Sequence, residues 1–230
     1  MNFFLRNKLK VFLSLIFLTY SFLAINVRKN ITKDDIKVIK MLKVDNYCKE
    51  ITDYQSELNC IKNIQIAQKK LVDSEDCRIK TINPEPLEMI NENTGCCFDR
   101  ARLIEKSLDF YGIKSRRVFL IQKNKYGIFT IFIPKVGSHA VTEAKTSKGW
   151  IGIETVNDLF ILTDNNNMPL TFKEAIKKEY NFPKSEDLDN LYNKDLLALI
   201  GVYSRHGKFY KPYLPFPEIN FVNFFSNLIH

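Results

Sequence analysis

Gly95-Cys96-Cys97-Phe98-Asp99-Arg100-Ala101-Arg102-Leu103-Ile104-Glu105-Lys106-Ser107-Leu108-Asp109-Phe110-Tyr111 is the stretch on which the fold of this 230-residue chain turns. Ala101, Ile104, Leu108 and Tyr111 recur at steps of three and four residues, the period of one apolar stripe on an α-helix. Gly112 follows as a residue able to end it in the left-handed conformation. The spacing predicts a helix over Cys97 to Tyr111 with a cysteine in its first turn. Backbone N–H groups there lack helical partners and lie at the positive end of the helix dipole, and both favour a thiolate over a thiol. The same position also suits a small buried hydrophobe or half of a disulfide, so the neighbouring residues decide which use applies.

Beyond Gly112 the pattern changes. Ser115 to Gln122, Tyr126 to Ile133, Ser138 to Ala144 and Trp150 to Val156 are rich in Val, Ile, Phe and Thr and are separated by turn residues, which predicts four strands of an antiparallel sheet. His139 is one of three histidines, with His206 and His230. If Thr146 and Ser147 form a two-residue hairpin loop, paired residue numbers sum to 293 and His139 stands opposite Glu154, with Cβ atoms roughly 5 Å apart. A carboxylate there can set the tautomer of the imidazole and stabilise its charged form. A slip of one residue would bring Thr155 opposite instead and turn Glu154 to the other face.

On the N-terminal side, Thr32 with Asp35 reads as a capping box for a short helix reaching Val44, and Leu58, Ile61, Ile64, Ala67 and Leu71 predict a packing helix over Ser56 to Val72. Asp73 to Thr94, with Pro84 and Pro86, reads as an irregular loop. Towards the C-terminus, Thr171 with Glu174 opens a predicted helix to Tyr180, and Ser185 is placed to cap another. Leu196, Leu199, Ile200 and Tyr203 continue an apolar helical face, and a last helix is expected over Glu218 to Ile229. Between them, Tyr203 to Pro217 carries three prolines and five aromatic residues, an extended segment that covers core or brings Arg205 and His206 to a cleft. Asp164-Asn165-Asn166-Asn167 lacks the ligand spacing of an EF-hand loop and reads as a turn.

Five cysteines occur, at 48, 60, 77, 96 and 97. In an exported domain four would make two disulfides and leave one thiol; short loops favour Cys48 with Cys60 and Cys77 with Cys96. In a reducing compartment all five would stay thiols. No Cys-x-x-Cys pair or histidine cluster suggests a metal, and no cofactor motif is present. Val11 to Val27 carries no charge and follows Arg6, Lys8 and Lys10, which marks residues 1–30 as a membrane-targeting segment. Phe22 stands where signal cleavage wants a small residue, so an uncleaved single-pass anchor is expected, with residues 31–230 as one domain outside the cytoplasm, periplasmic in a bacterium. Arg6, Lys8, Lys10, Arg28, Lys29 and Lys33 account for six of the formal +8 charge, so the rest of the chain gives no footprint for nucleic acid.

Taken together, Gly95-x-Cys97-x-x-x-Ala101, Tyr111-Gly112-Ile113, His139-Ala140-x-x-Glu143, and Trp150 with Glu154 four residues on resemble the transglutaminase-like superfamily over Thr94 to Val156, about a quarter to a third of the chain. The resemblance implies an α+β, papain-like core at about residues 90–165, in which a cysteine-bearing helix packs on an antiparallel sheet with flanking helices. It implies a triad of Cys97 as nucleophile, His139 as base and Glu154 as orienting acid, with acyl transfer through a thioester to water or an amine. Two residues depart from the family: Glu154 stands where Asp is usual, and Val141 where an aromatic is common. Asp158 is the alternative acid. The backbone N–H of Cys97 would bind the oxyanion with a side-chain donor from Asn91 or Asn93. Asn93, Trp150 and His206 are the expected substrate-binding residues. Two readings follow: a membrane-anchored thiol enzyme acting on peptide or isopeptide amides (a cysteine peptidase, amidase or acyl transferase), or a transglutaminase-like interaction module of the cell envelope without turnover.

Overall fold

Capping boxes open several of the helices. In the computed structural model, which describes residues 8, 10–19, 27, 29–72, 85–93, 95–123, 125–127, 130, 133, 136–156, 159–182, 189–192, 195–203 and 218–228, α1 (Lys33–Met41) starts where the Thr32 hydroxyl accepts from the Asp35 N–H and Asp35 accepts from the Thr32 N–H. The chain does not stay helical to Val44: Lys43 takes a positive φ of 55° and a separate turn, α2 (Asp45–Cys48), follows. α3 (Tyr54–Leu71) is capped by Asp53 and Ser56, two residues before the predicted start. The predicted loop also holds a helix, α4 (Pro86–Glu92), because Pro86 supplies the preset φ of a first helical turn and Glu88 accepts from the Glu85 N–H.

α5 (Cys97–Phe110) forms as the apolar stripe predicts, with Tyr111 as its C-cap and Gly112 at φ +83°. Phe98 to Leu108 are buried without a break, so this helix is enclosed on all sides rather than on one stripe. Leu103, Ile104 and Leu108 meet Val38, Ile61 and Ile64 of α1 and α3. Each such side chain contributes about 1.5–3 kcal/mol on full burial. The charged residues of α5 therefore need internal partners: Lys106 bonds Asp35 at 2.6 Å, and Glu105 bonds Arg117 at 2.6 Å.

The sheet has the order β3-β2-β1-β4 and is antiparallel throughout, with β1 (Ser115–Gln122), β2 (Ser138–Thr146), β3 (Gly149–Ile153) and, further along, β4 (Leu196–Ile200). α3 and α5 cover one face, and Leu162, Leu170 and Phe172 cover the other. Two expectations change here. Of the strand predicted over Tyr126 to Ile133, the described residues are turns and 3-10 geometry, and the Ile133 N–H bonds Thr130 O at 3.0 Å. The place beside β1 is taken by Leu196–Ile200, predicted as helix: a run of five apolar residues between two packed faces satisfies either period, and pairing with β1 decides it.

The hairpin register also differs. The turn is Ser147-Lys148 rather than Thr146-Ser147, with Gly149 at φ +141°, so Thr146 pairs Gly149 and Thr142 pairs Ile153, a sum of 295. A shift of two keeps every side chain on its face. On β3, Gly152 is required by packing, since a Cβ there would lie 2.6 Å from Leu162 Cδ1 and 2.8 Å from Phe172 Cε2.

After β3 come α6 (Phe172–Lys177), capped by Thr171 and Glu174 and shorter than predicted, and α7 (Asp189–Tyr192), which precedes β4. β5 (Val202–Tyr203) pairs β6 (Glu218–Ile219), so the predicted last helix begins later, as α8 (Phe221–Phe225), and ends in a 3-10 turn, Ser226–Leu228. Ser185, Arg205, His206 and Ile229 lie outside the described residues. The N-terminal residues 10–19 are helical and exposed, among them Phe12, Ile16 and Phe17. The chain meets the domain again at Val27, whose N–H donates to Ile219 O at 3.1 Å, and at Lys29, whose ammonium donates to Ser115 O at 2.7 Å. No helix among the described residues is long and apolar enough to cross a membrane. A disulfide joins Cys48 to Cys60 and ties α2 to α3. Cys96 is disulfide-bonded as well; Cys77, the partner expected for it, lies outside the described residues.

Candidate active site

Cys97 is the first residue of α5, its thiol is free, and the residue is partly exposed. Three groups hold this helix start. Cys96 is the N-cap, and its backbone N–H donates to the Asp99 carboxyl, which burial pushes up to about 7. Arg100, 1% exposed, reaches back so that Nε donates to Gly95 O at 2.7 Å, while its other nitrogens donate to Val72 O at 2.7 Å and Gln68 Oε1 at 3.1 Å. Its guanidinium clamps the loop before the cysteine onto α3.

His139, near the start of β2, is 3% exposed, and its Nε2 lies 2.7 Å from Glu154 Oε1. Nδ1 is then the ring nitrogen left for the sulfur, and His139 hydrogen-bonds Cys97. In the register of 295, Glu154 faces Val141 and sits diagonally from His139. The longer Glu side chain covers that offset. Glu154 is fully buried and holds four donors: Oε1 accepts from His139 and from the backbone N–H groups of Thr155 at 2.7 Å and Val156 at 3.0 Å, and Oε2 accepts from the Tyr192 hydroxyl. Tyr192 is fixed by stacking on Phe182, centroids 4.5 Å apart, and stands nearly perpendicular to the His139 ring, centroids 6.3 Å apart. Behind the acid, α3 donates to the backbone, Gln65 Nε2 to Glu154 O at 2.8 Å and Gln68 Nε2 to Thr155 O at 2.9 Å. Gln68 thus joins the cysteine loop, through Arg100, to the strand end that carries the acid.

The electrostatics agree with this row. Burial opposes the charged form of Cys97, but the His139 hydrogen bond and charge, the Ala140 N–H and Arg117 together hold its thiol below the usual range. For His139 burial again opposes charge, and Glu154 and Cys97 outweigh it and push the imidazole up to about 10. Burial would raise Glu154, yet His139, Tyr192 and the Thr155 N–H lower it. All three shifts act in the same sense: they favour a thiolate beside an imidazolium over the neutral pair, with the third charge on Glu154.

The structure brings Cys97, His139 and Glu154 together. Trp150 is placed elsewhere: it pairs Lys145, six residues along β2 from His139, roughly 20 Å away at strand spacing, and its ring lies 4.2 Å from the Arg116 guanidinium. Asn93 is the exposed left-handed C-cap of α4, and Asn91 is exposed on the same helix. His206 and Asp158 lie outside the described residues. Gln65, Gln68, Arg100 and Tyr192 were not legible as site residues. The glutamines carried a signal, since they stand on the core-facing period of α3, where a polar side chain needs a buried partner. Among the described residues no group of three or more metal-ligating side chains gathers.

No family model matches this chain, and no curated protein matches it. Among solved structures, one described as "Crystal structure of a TGase" is similar at a TM-score of 0.35 and 14% identity, over 74% of this chain and 47% of that chain. This chain therefore spans less than half of that protein's length.

Proposed function

We propose that this chain is a thiol enzyme of transglutaminase-like type that cleaves or transfers acyl groups at amide or isopeptide bonds. The observation that carries the reading is the hydrogen-bonded row Cys97, His139, Glu154, with the thiol lowered and the imidazole raised. The Cys97 thiolate attacks the amide carbonyl carbon, and the electron pair of the C=O bond moves to oxygen, where the Cys97 N–H at the helix start stabilises it. The tetrahedral species collapses, the C–N bond breaks, and His139 gives its proton to the leaving amine. Water or an acceptor amine then loses a proton to His139 and attacks the thioester, which frees Cys97. Glu154 stays charged and orients the ring.

Anchoring outside the cytoplasm belongs to the same proposal. It is supported by the exposed apolar helix at residues 10–19 and by three oxidised cysteines, Cys48, Cys60 and Cys96, beside a free one, the pattern of an oxidising compartment. Alkylation of the chain with iodoacetamide across pH, alongside turnover of fluorogenic amide and isopeptide substrates, tests the reading. One thiol should react well below the ordinary cysteine value of about 8.5, and Cys97→Ser should abolish both that reaction and turnover. A folded chain whose Cys97 reacts only above that value would favour the module without turnover.

A further inference from the structure

Among the described residues β4 is an edge strand, and its outer side is open over part of its length. Lys123 N–H bonds Asp195 O and Gly201 N–H bonds Arg117 O, so in the observed register residues 195, 197, 199 and 201 turn their backbone groups to β1. Leu196, Ala198 and Ile200 turn theirs outward. Ile200 is already satisfied: its N–H donates to Asn227 Oδ1 at 3.0 Å and its C=O accepts from Asn227 Nδ2 at 2.8 Å, a side-chain amide standing where a neighbouring strand's peptide would be. The N–H and C=O groups of Leu196 and Ala198 have no partner among the described residues and face a groove of about 350 Å³. Two N–H and two C=O groups at alternate residues are the docking pattern of one extended peptide.

The walls add chemistry to that pattern. On one side stand Lys173, Ile176 and Lys177 of α6, and on the other Leu197 and Phe224. Among the described residues no acidic side chain lines the groove and neither lysine makes an ion pair. Side chains of an extended peptide alternate between two directions, so one set would meet the lysines and the other the apolar wall.

We propose that the β4 edge binds an extended peptide with alternating acidic and apolar residues, added as a fifth strand beyond Asn227. Cys97 does not line this groove, and the proposal does not depend on turnover there. The test uses the full chain in detergent and fluorescein-labelled Val-Glu-Val-Glu-Val, read by fluorescence polarisation. Binding should weaken with salt and fall at least about tenfold when the peptide amides are N-methylated, when Glu is replaced by Lys, and in the double variant Lys173→Glu, Lys177→Glu. Ala198→Pro should have the same effect, because it removes an outward N–H and leaves the bonds to β1 in place. Cys97 alkylation should be unchanged in every variant, which separates loss of this site from loss of the catalytic one. If Ala198→Pro does not fold, the N-methylated peptide and the lysine reversals decide. Absence of binding, equal binding of the N-methylated peptide, or a dimer of the chain that Ala198→Pro dissolves would each overturn the proposal.

Discussion

Glu154 and Glu143 are both buried carboxylates paired with a cation at one sheet, and they behave in opposite ways. Glu154 takes four donors and is held below the ordinary glutamate range despite its burial. Glu143, 1% exposed, has the Arg116 guanidinium at 2.6 Å and the Phe172 N–H at 2.8 Å, and burial keeps it above that range. The partners differ as well. Arg116 cannot give up its proton and is further held against Trp150, so its pair ties β1 to the start of α6 and nothing moves. His139 can exchange a proton with Cys97. A buried ion pair at this sheet is a fastener when its cation is an arginine, and a working part when the cation titrates and a nucleophile lies on its other side.

Replacing Glu154 breaks that comparison most severely. Glu154→Gln should lower turnover by about 10²–10⁴-fold, since an amide cannot stabilise the imidazolium and can hold the wrong tautomer. Two limbs should move in a pH series. The alkaline limb of turnover, set by His139 at about 10, should fall towards its ordinary value. The acid limb of Cys97 alkylation should rise, because a weaker imidazolium stabilises the thiolate less. Glu154 is depressed in the folded chain, so its contribution to stability is present above the unfolded glutamate value and is lost as pH falls through the folded one. Urea melts of wild type and Glu154→Gln should therefore converge in acid. Unchanged turnover and limbs would remove Glu154 from the site.

Breaking the fastener should do the reverse. Arg116→Met leaves the buried Glu143 without its cation and should cost about 3–5 kcal/mol of stability, measured by urea unfolding. In the fraction that stays folded, the pH profile of Cys97 alkylation should not move. A shifted profile would show that the two pairs are coupled and that Arg116–Glu143 is more than a fastener.

The smallest effect sharpens the role of the fourth donor. Tyr192→Phe removes the hydroxyl on Glu154 Oε2 and leaves the ring on Phe182. A hydrogen bond to a charged group is worth about 1.5–3 kcal/mol, so turnover should fall at least tenfold with KM little changed, and the alkaline limb should move slightly. Loss of stability with kcat and both limbs intact would make Tyr192 a packing residue only.

Much of this was legible before any coordinates. The three-and-four spacing of Ala101, Ile104 and Leu108 determined α5 and put Cys97 in its first turn, and Thr32 and Thr171 marked two helix starts, because these signals act within a few residues of chain. Parity determined that Glu154 shares a face with His139, and it survived a register error of two. What tertiary structure alone decided is of another kind. Leu196–Ile200 became a strand because β1 offered an open edge. The register of 295 followed from the Ser147-Lys148 turn and Gly149. The partners of the triad, Tyr192 from α7, Gln68 from α3 and Arg100 behind the cysteine, come from places 38, 87 and 32 residues away from what they bond. Local pattern carries the period of an element and the face a side chain takes; which distant donor fills a buried carboxylate's last lone pair is set only when the whole core closes, since until then water serves equally well.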